Sequence, residues 1–71
     1  MDKLPTNETL SREIRKAMLD ADLKPDQLGK RTRSVWYKKI RAPLQMNFDD
    51  YFYLCNRLRV DPDELLRRSK Q

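Results

Sequence analysis

Residues 29–41 read GKRTRSVWYKKIR. Six of these thirteen residues are Lys or Arg, none is acidic, and Trp36 and Tyr37 stand in the middle. The segment is either a surface that grips a polyanion or a short helix whose charges only keep it soluble. Which of its side chains face a core decides between the two.

The charge around the segment is uneven. The whole chain carries 16 Lys and Arg against 11 Asp and Glu, a net +5. From Gln27 to Phe48 there are six bases (Lys30, Arg31, Arg33, Lys38, Lys39, Arg41) and no acid. Subtracting those six from the sixteen leaves ten bases against eleven acids, a net −1 elsewhere. The positive excess thus sits in one block, the electrostatic footprint expected for a polyanion partner.

The chain has 71 residues, enough for one domain. A domain of this size buries only about 60% of the surface its unfolded chain exposes, and its core leaves roughly 3–5 kcal/mol of net stability. A binding surface is a better expectation than a cleft. Cys55 is the single cysteine, so no intrachain disulfide forms, which fits a reducing compartment. The start MDKLPTNETL lacks an apolar core of signal-peptide length, and no apolar run approaches the ~18 residues of a membrane span. The expected location is the cytoplasm, away from membrane.

Working outward, Leu10, Ile14, Ala17, Met18 and Ala21 follow helical spacing and predict helix 1 over 10–21, capped by Thr9 or Asn7. Residues 1–8 are expected to be a flexible arm, and 9–69 the folded domain. Pro25 suits a first helical position, with Asp26 favouring the dipole. Helix 2 is expected over 25–31 with Leu28 inward, and Gly29 marks a place where another backbone can approach. A turn at Thr32–Arg33 and Ser34 as N-cap start helix 3, which Ala42-Pro43 ends. Leu44–Met46 reads as loop. Asn47 caps helix 4, where Phe48, Tyr51, Phe52, Cys55 and Leu58 mark a buried face with Leu54 beside it. Asp61 caps helix 5, with Pro62 first, Glu64 closing a capping box, and Val60 and Leu65 as the hydrophobic staple. Strand signals are weak. The prediction is all-α: five short helices around one core.

The chemistry of catalysis is thin. There is no histidine, so the commonest general base and metal ligand is missing. Asp49-Asp50 and Asp61/Asp63/Glu64 stand at helix starts, where capping explains them. Cys55 lies in core phase and reads as a small buried hydrophobe. Neither an enzyme, a metal site nor a cofactor is expected.

The order of elements resembles a known family. IRKAMLDADLKPDQLG, residues 14–29, looks like the opening of a phage repressor/Cro-type (XRE-like) helix-turn-helix domain, with Leu23, Pro25, Leu28 and Gly29 in the places of its turn and second helix. NFDDYFYLCNRLRVDPDELL, residues 47–66, resembles the family's last two helices, and RVDPDELL is the most specific part. SVWYKKIRAP falls where the recognition helix and its following turn belong. KRTRS after Gly29 makes the segment two or three residues shorter than the family pattern. The resemblance implies a compact five-helix repressor-like domain that binds a double-stranded DNA operator as a dimer.

On a helical wheel two phases of helix 3 are open. If Trp36 and Ile40 pack inward, Ser34, Lys38 and Arg41 point outward. If Tyr37 and Ile40 pack inward, the outward set is Ser34, Val35, Lys38 and Lys39. Arg33 and Lys38 are expected to touch bases, and Lys30, Arg31, Lys39 and Arg41 to touch phosphates. Ser34 caps the helix, meets a phosphate, or does both. The expected function is a small sequence-specific regulator of transcription, of phage or mobile-element type. The rival is a protein-binding antirepressor or modulator whose partner is another regulator. An RNA-binding module is a third reading, without an aromatic-rich strand motif to support it.

Overall fold

The structure, a computed structural model, describes residues 4–70. Residues 1–3 of the expected arm lie outside them. Four α-helices follow one another: α1 (Asn7–Ala21), α2 (Arg33–Arg41), α3 (Phe48–Leu58) and α4 (Pro62–Ser69). Single 3-10 turns occur at Pro25–Gln27 and Pro43–Gln45. Among the described residues there is no strand, and no helix is long and apolar enough to cross a membrane. The radius of gyration is 11.3 Å, against about 11 Å for a packed chain of this length.

α1 starts earlier than its apolar stripe suggests. Thr6 is the N-cap: its Oγ1 accepts the Thr9 N–H while Thr9 Oγ1 accepts the Thr6 N–H, a reciprocal capping box. The helix therefore takes in Asn7 and Glu8, which the sequence assigns to an arm. Asn7 does not cap; its Oδ1 accepts the Leu44 N–H at 2.9 Å and ties the second 3-10 turn to α1. Leu10, Ile14, Ala17 and Met18 are buried as the stripe predicts, and Ala21 packs at the core's edge.

Two helices end without glycine. Asp22 and Arg59 take the left-handed conformation at φ 56° and 58°. Behind each, the next N–H reaches back across the last turn: Leu23 to Met18 O, and Val60 to Cys55 O, both at 3.0 Å. These bonds satisfy the carbonyls a helix end leaves open.

The expected helix over 25–31 is replaced by the 3-10 turn alone. Gly29 and Lys30 take φ of 79° and 67°, which no right-handed helix accommodates. Among the described residues the count is thus four α-helices rather than five. Leu28 is buried as expected. The Leu44–Met46 loop also contains the end of a 3-10 turn, begun by Pro43.

α3 is capped by Asn47, whose Oδ1 accepts the Asp50 N–H at 2.8 Å. Its buried face is Tyr51, Leu54, Cys55 and Leu58. Leu54 is at the centre of that face. Phe48 and Phe52, expected inside, are exposed and stack on one another with ring centroids 5.8 Å apart. The inward positions of α3 go to Tyr51, Leu54, Cys55 and Leu58, and the phenylalanines fall on the outer side. α4 is capped by Asp61 and begins at Pro62, with Leu65 buried and Val60 packed against the core. Glu64 closes no capping box. It turns to Arg67 and Arg68, both at 3.3 Å. Burial holds the Cys55 thiol up at about 11, in keeping with an inert core position.

Candidate nucleic-acid interface

The phase of α2 is settled by Trp36 and Ile40, which are both buried. The Trp36 side chain is 0% exposed. It stacks on Tyr53 at 6.0 Å and donates Nε1–H to Gly29 O at 2.8 Å. An indole needs such an acceptor when it leaves water. Ser34, Lys38 and Arg41 therefore face outward, the first of the two wheel phases. Tyr37 is half-exposed on one flank of that face, and Val35 and Lys39 lie on the other.

Ser34 is not the N-cap. Thr32 holds that place, accepting the Val35 N–H on its Oγ1. The Ser34 hydroxyl is left on the exposed first turn of α2. Arg33, beside it, lies over the Tyr37 ring at 5.3 Å. That cation–π contact holds the guanidinium beside the ring; among the described residues no acid forms a salt bridge with it, though the charge of Asp26 acts on it from a distance.

The turn before α2 is held by α3. Asp50, Tyr53 and Arg57 occur at helical spacing, three and four residues apart, and so share one face. Tyr53 Oη donates to Leu28 O at 2.6 Å, and Arg57 Nη2 donates to Gln27 O at 2.9 Å. Gly29 is needed here for two reasons. Its φ is positive, and a Cβ would stand 2.9 Å from Tyr53 Oη. The close approach expected at Gly29 is thus made by a side chain rather than by a backbone.

Asp50 gathers three of the seven expected interface residues. Its carboxylate is fully buried. Oδ1 meets Lys30 Nζ at 3.2 Å and accepts from Arg31 Nε and Nη2 at 3.3 Å; Oδ2 meets Lys39 Nζ at 2.9 Å. The three cationic side chains remain 34%, 42% and 24% exposed respectively. Contact with Lys39, then with Lys30 and Arg31, holds the Asp50 carboxyl down at about 2 against the cost of burial. Lys30 also lies over the Tyr53 ring at 5.3 Å. In sequence, Asp50 reads only as a helix-start acid. Its spacing from Tyr53 and Arg57 is the one local signal, and that spacing acquires meaning only once the turn lies against α3.

The seven expected residues therefore divide. Arg33, Ser34, Lys38 and Arg41 are on the open face of α2, and among the described residues no acid pairs with these bases. Lys30, Arg31 and Lys39 form a cluster on its α3 side, three positive charges around one negative. Elsewhere the surface charges pair locally, as in Glu8–Arg12 and Glu13–Lys16 on α1. On the α1 side of α2 an apolar groove of about 570 Å³ is lined by Met18, Leu19, Leu23 and Tyr37, with Glu8, Arg15 and Arg41 at its charged edge. Among the described residues no three Cys, Asp or Glu side chains converge as metal ligands would.

No known protein family, curated protein or solved structure matches this chain.

Proposed function

We propose that this chain is a small sequence-specific double-stranded DNA-binding regulator of transcription, of phage or mobile-element type, with α2 as its recognition helix and a repressor-like helix-turn-helix as its frame. One observation carries the reading. A short helix, pinned from behind by Trp36 and Ile40, presents Ser34, Lys38 and Arg41, contains no acid, and has bases on both flanks. A helix fits the major groove, where its outer side chains meet base edges and the flanking bases meet the two phosphate backbones. In this reading Arg33 and Lys38 touch bases and Arg41 a phosphate, and two copies share an operator in the cytoplasm.

The test is a titration with random duplex and with a selected operator at several salt concentrations. Weak, salt-sensitive binding to any duplex is expected. Arg41→Gln lowers the slope of log K against log salt by about 0.9 per copy bound. Lys38→Gln and Arg33→Gln narrow the gap between operator and random DNA. Arg67→Gln, whose partner is Glu64, changes neither. Absence of duplex binding at low salt refutes the proposal.

A second reading has its own observation. The exposed Leu19 and Tyr37 give the groove beside α2 an apolar wall, and the helix before the recognition helix is reduced to one 3-10 turn. Both suit an antirepressor that grips another regulator. Failure to bind duplex moves this reading to first place.

A further inference from the structure

We propose that Lys30, Arg31 and Lys39 form one phosphate seat, built by Asp50, rather than three separate basic contacts. In its DNA form the seat deepens the DNA-binding reading and rests on it. The chemistry recognised is a phosphate group, from a nucleic-acid backbone or from a free phosphate compound.

Three like charges do not gather unaided. Left to themselves, two long lysines and an arginine spread into water and keep their rotamer freedom. Asp50 reverses this. It is buried at the start of α3, and the three cations reach it from the turn before α2 and from α2 itself. Lys30 Nζ and Arg31 Nη2 stand 3.2 and 3.3 Å from the same oxygen, so they are at most about 6.5 Å apart. Lys39 Nζ lies beside the other oxygen. One tetrahedral anion spans such a group.

The cluster is also unsaturated. One carboxylate against three cations leaves +2. An ammonium and a guanidinium each hold more donors than their contacts with Asp50 use. The side chains are a quarter to two-fifths exposed, so the remaining donors have access to solvent. Tyr53 under Lys30 and Trp36 under the turn fix the floor. Asp50 itself faces inward and does not touch the ligand. It is a positioning residue that trades one unit of attraction for pre-ordered donors.

Sharing has a thermodynamic signature. The salt slope counts phosphates neutralised, not bases present. Three independent contacts add about 2.7 to the slope per copy bound, and one shared phosphate adds about 0.9. The Lys30→Gln/Arg31→Gln double variant keeps Lys39 as counter-ion for Asp50. It is expected to lower the slope by no more than about 0.9 per copy; a loss of about 1.8 overturns the seat. Asp50→Asn adds positive charge, so a surface acting by bulk charge gains duplex affinity. The seat predicts the opposite sign: weaker binding at fixed salt with the circular dichroism of the free protein unchanged.

A second measurement needs neither a variant nor DNA. Wild-type protein is titrated with pyrophosphate while the side-chain N–H signals of its Lys and Arg residues are followed by NMR. Saturating shifts confined to Lys30, Arg31 and Lys39 are expected. Shifts that stay linear, or that spread over all the bases, overturn the seat. If pyrophosphate saturates the cluster while no duplex binds at low salt, the seat stands as a site for a free phosphate compound and the DNA reading fails alone.

Discussion

Replacing Trp36 tests the whole arrangement, because the indole joins the core to the turn that carries Lys30 and Arg31. The side chain is fully buried, stacked on Tyr53, and bonded through Nε1–H to Gly29 O. Trp36→Ala removes all three contributions and leaves a cavity, at a cost of about 3–5 kcal/mol. A domain of this size holds roughly that much in total, so the variant is expected to be half unfolded or worse in plain buffer. Trp36→Phe is more informative. It retains an aromatic face for Tyr53 but leaves Gly29 O without its donor, at about 1–3 kcal/mol, plus a smaller cavity. The variant is expected to fold, with a urea midpoint between those of wild type and Trp36→Ala. Far-UV circular dichroism is the probe, since fluorescence is lost with the tryptophan. Should Trp36→Ala unfold within about 1 kcal/mol of wild type, the typical effect of an ordinary substitution, the indole is a surface group and the phase of α2 is wrong. The outward set would then change, and the interface with it.

Other outcomes follow from single contacts. Gly29→Ala is expected to cost more than about 1 kcal/mol by thermal melt, from the positive φ and the crowded Tyr53 hydroxyl; in a Tyr53→Phe background the penalty shrinks, whereas an unchanged penalty leaves the φ as the sole cause. Asp50 ionises at about 2 when folded and near 3.8 when unfolded, so its contribution is present above about pH 4 and is lost as pH falls towards 2; an acid titration of wild type beside Asp50→Asn should show wild type losing stability relative to the variant across that window. Leu54→Ala is expected to cost about 2–5 kcal/mol, and Phe48→Ser to stay within about 0.5 kcal/mol, by urea unfolding; equal losses would put Phe48 back in the core. The Cys55 thiol, buried and raised to about 11, should react with a disulfide reagent only as fast as the chain opens, and reaction in the folded state at the rate of a free thiol would contradict its place.

The sequence by itself determined the local structure that depends on neighbours a few residues apart. The α1 stripe, the Asn47 and Asp61 caps and the Pro62 start all act within a turn of helix, so they are legible in one dimension. The concentration of positive charge between Gln27 and Phe48 is likewise a property of the chain alone. Elsewhere local signals misled: Thr6 rather than Asn7 or Thr9 caps α1, Thr32 rather than Ser34 caps α2, and a left-handed pair at Gly29 and Lys30 cuts short the helix expected to start at Pro25. Only the tertiary structure decided which way Phe48 and Phe52 face, because the side of α3 that meets the core is set by the other helices packed against it. Only it decided that Trp36 rather than Tyr37 turns inward, through an acceptor seven residues earlier. It also divided the basic block. Asp50 lies nineteen residues beyond Arg31, and no local pattern couples them. A buried carboxylate must find counter-ions, and the fold brings to it the three bases that the sequence shows only as scattered charge.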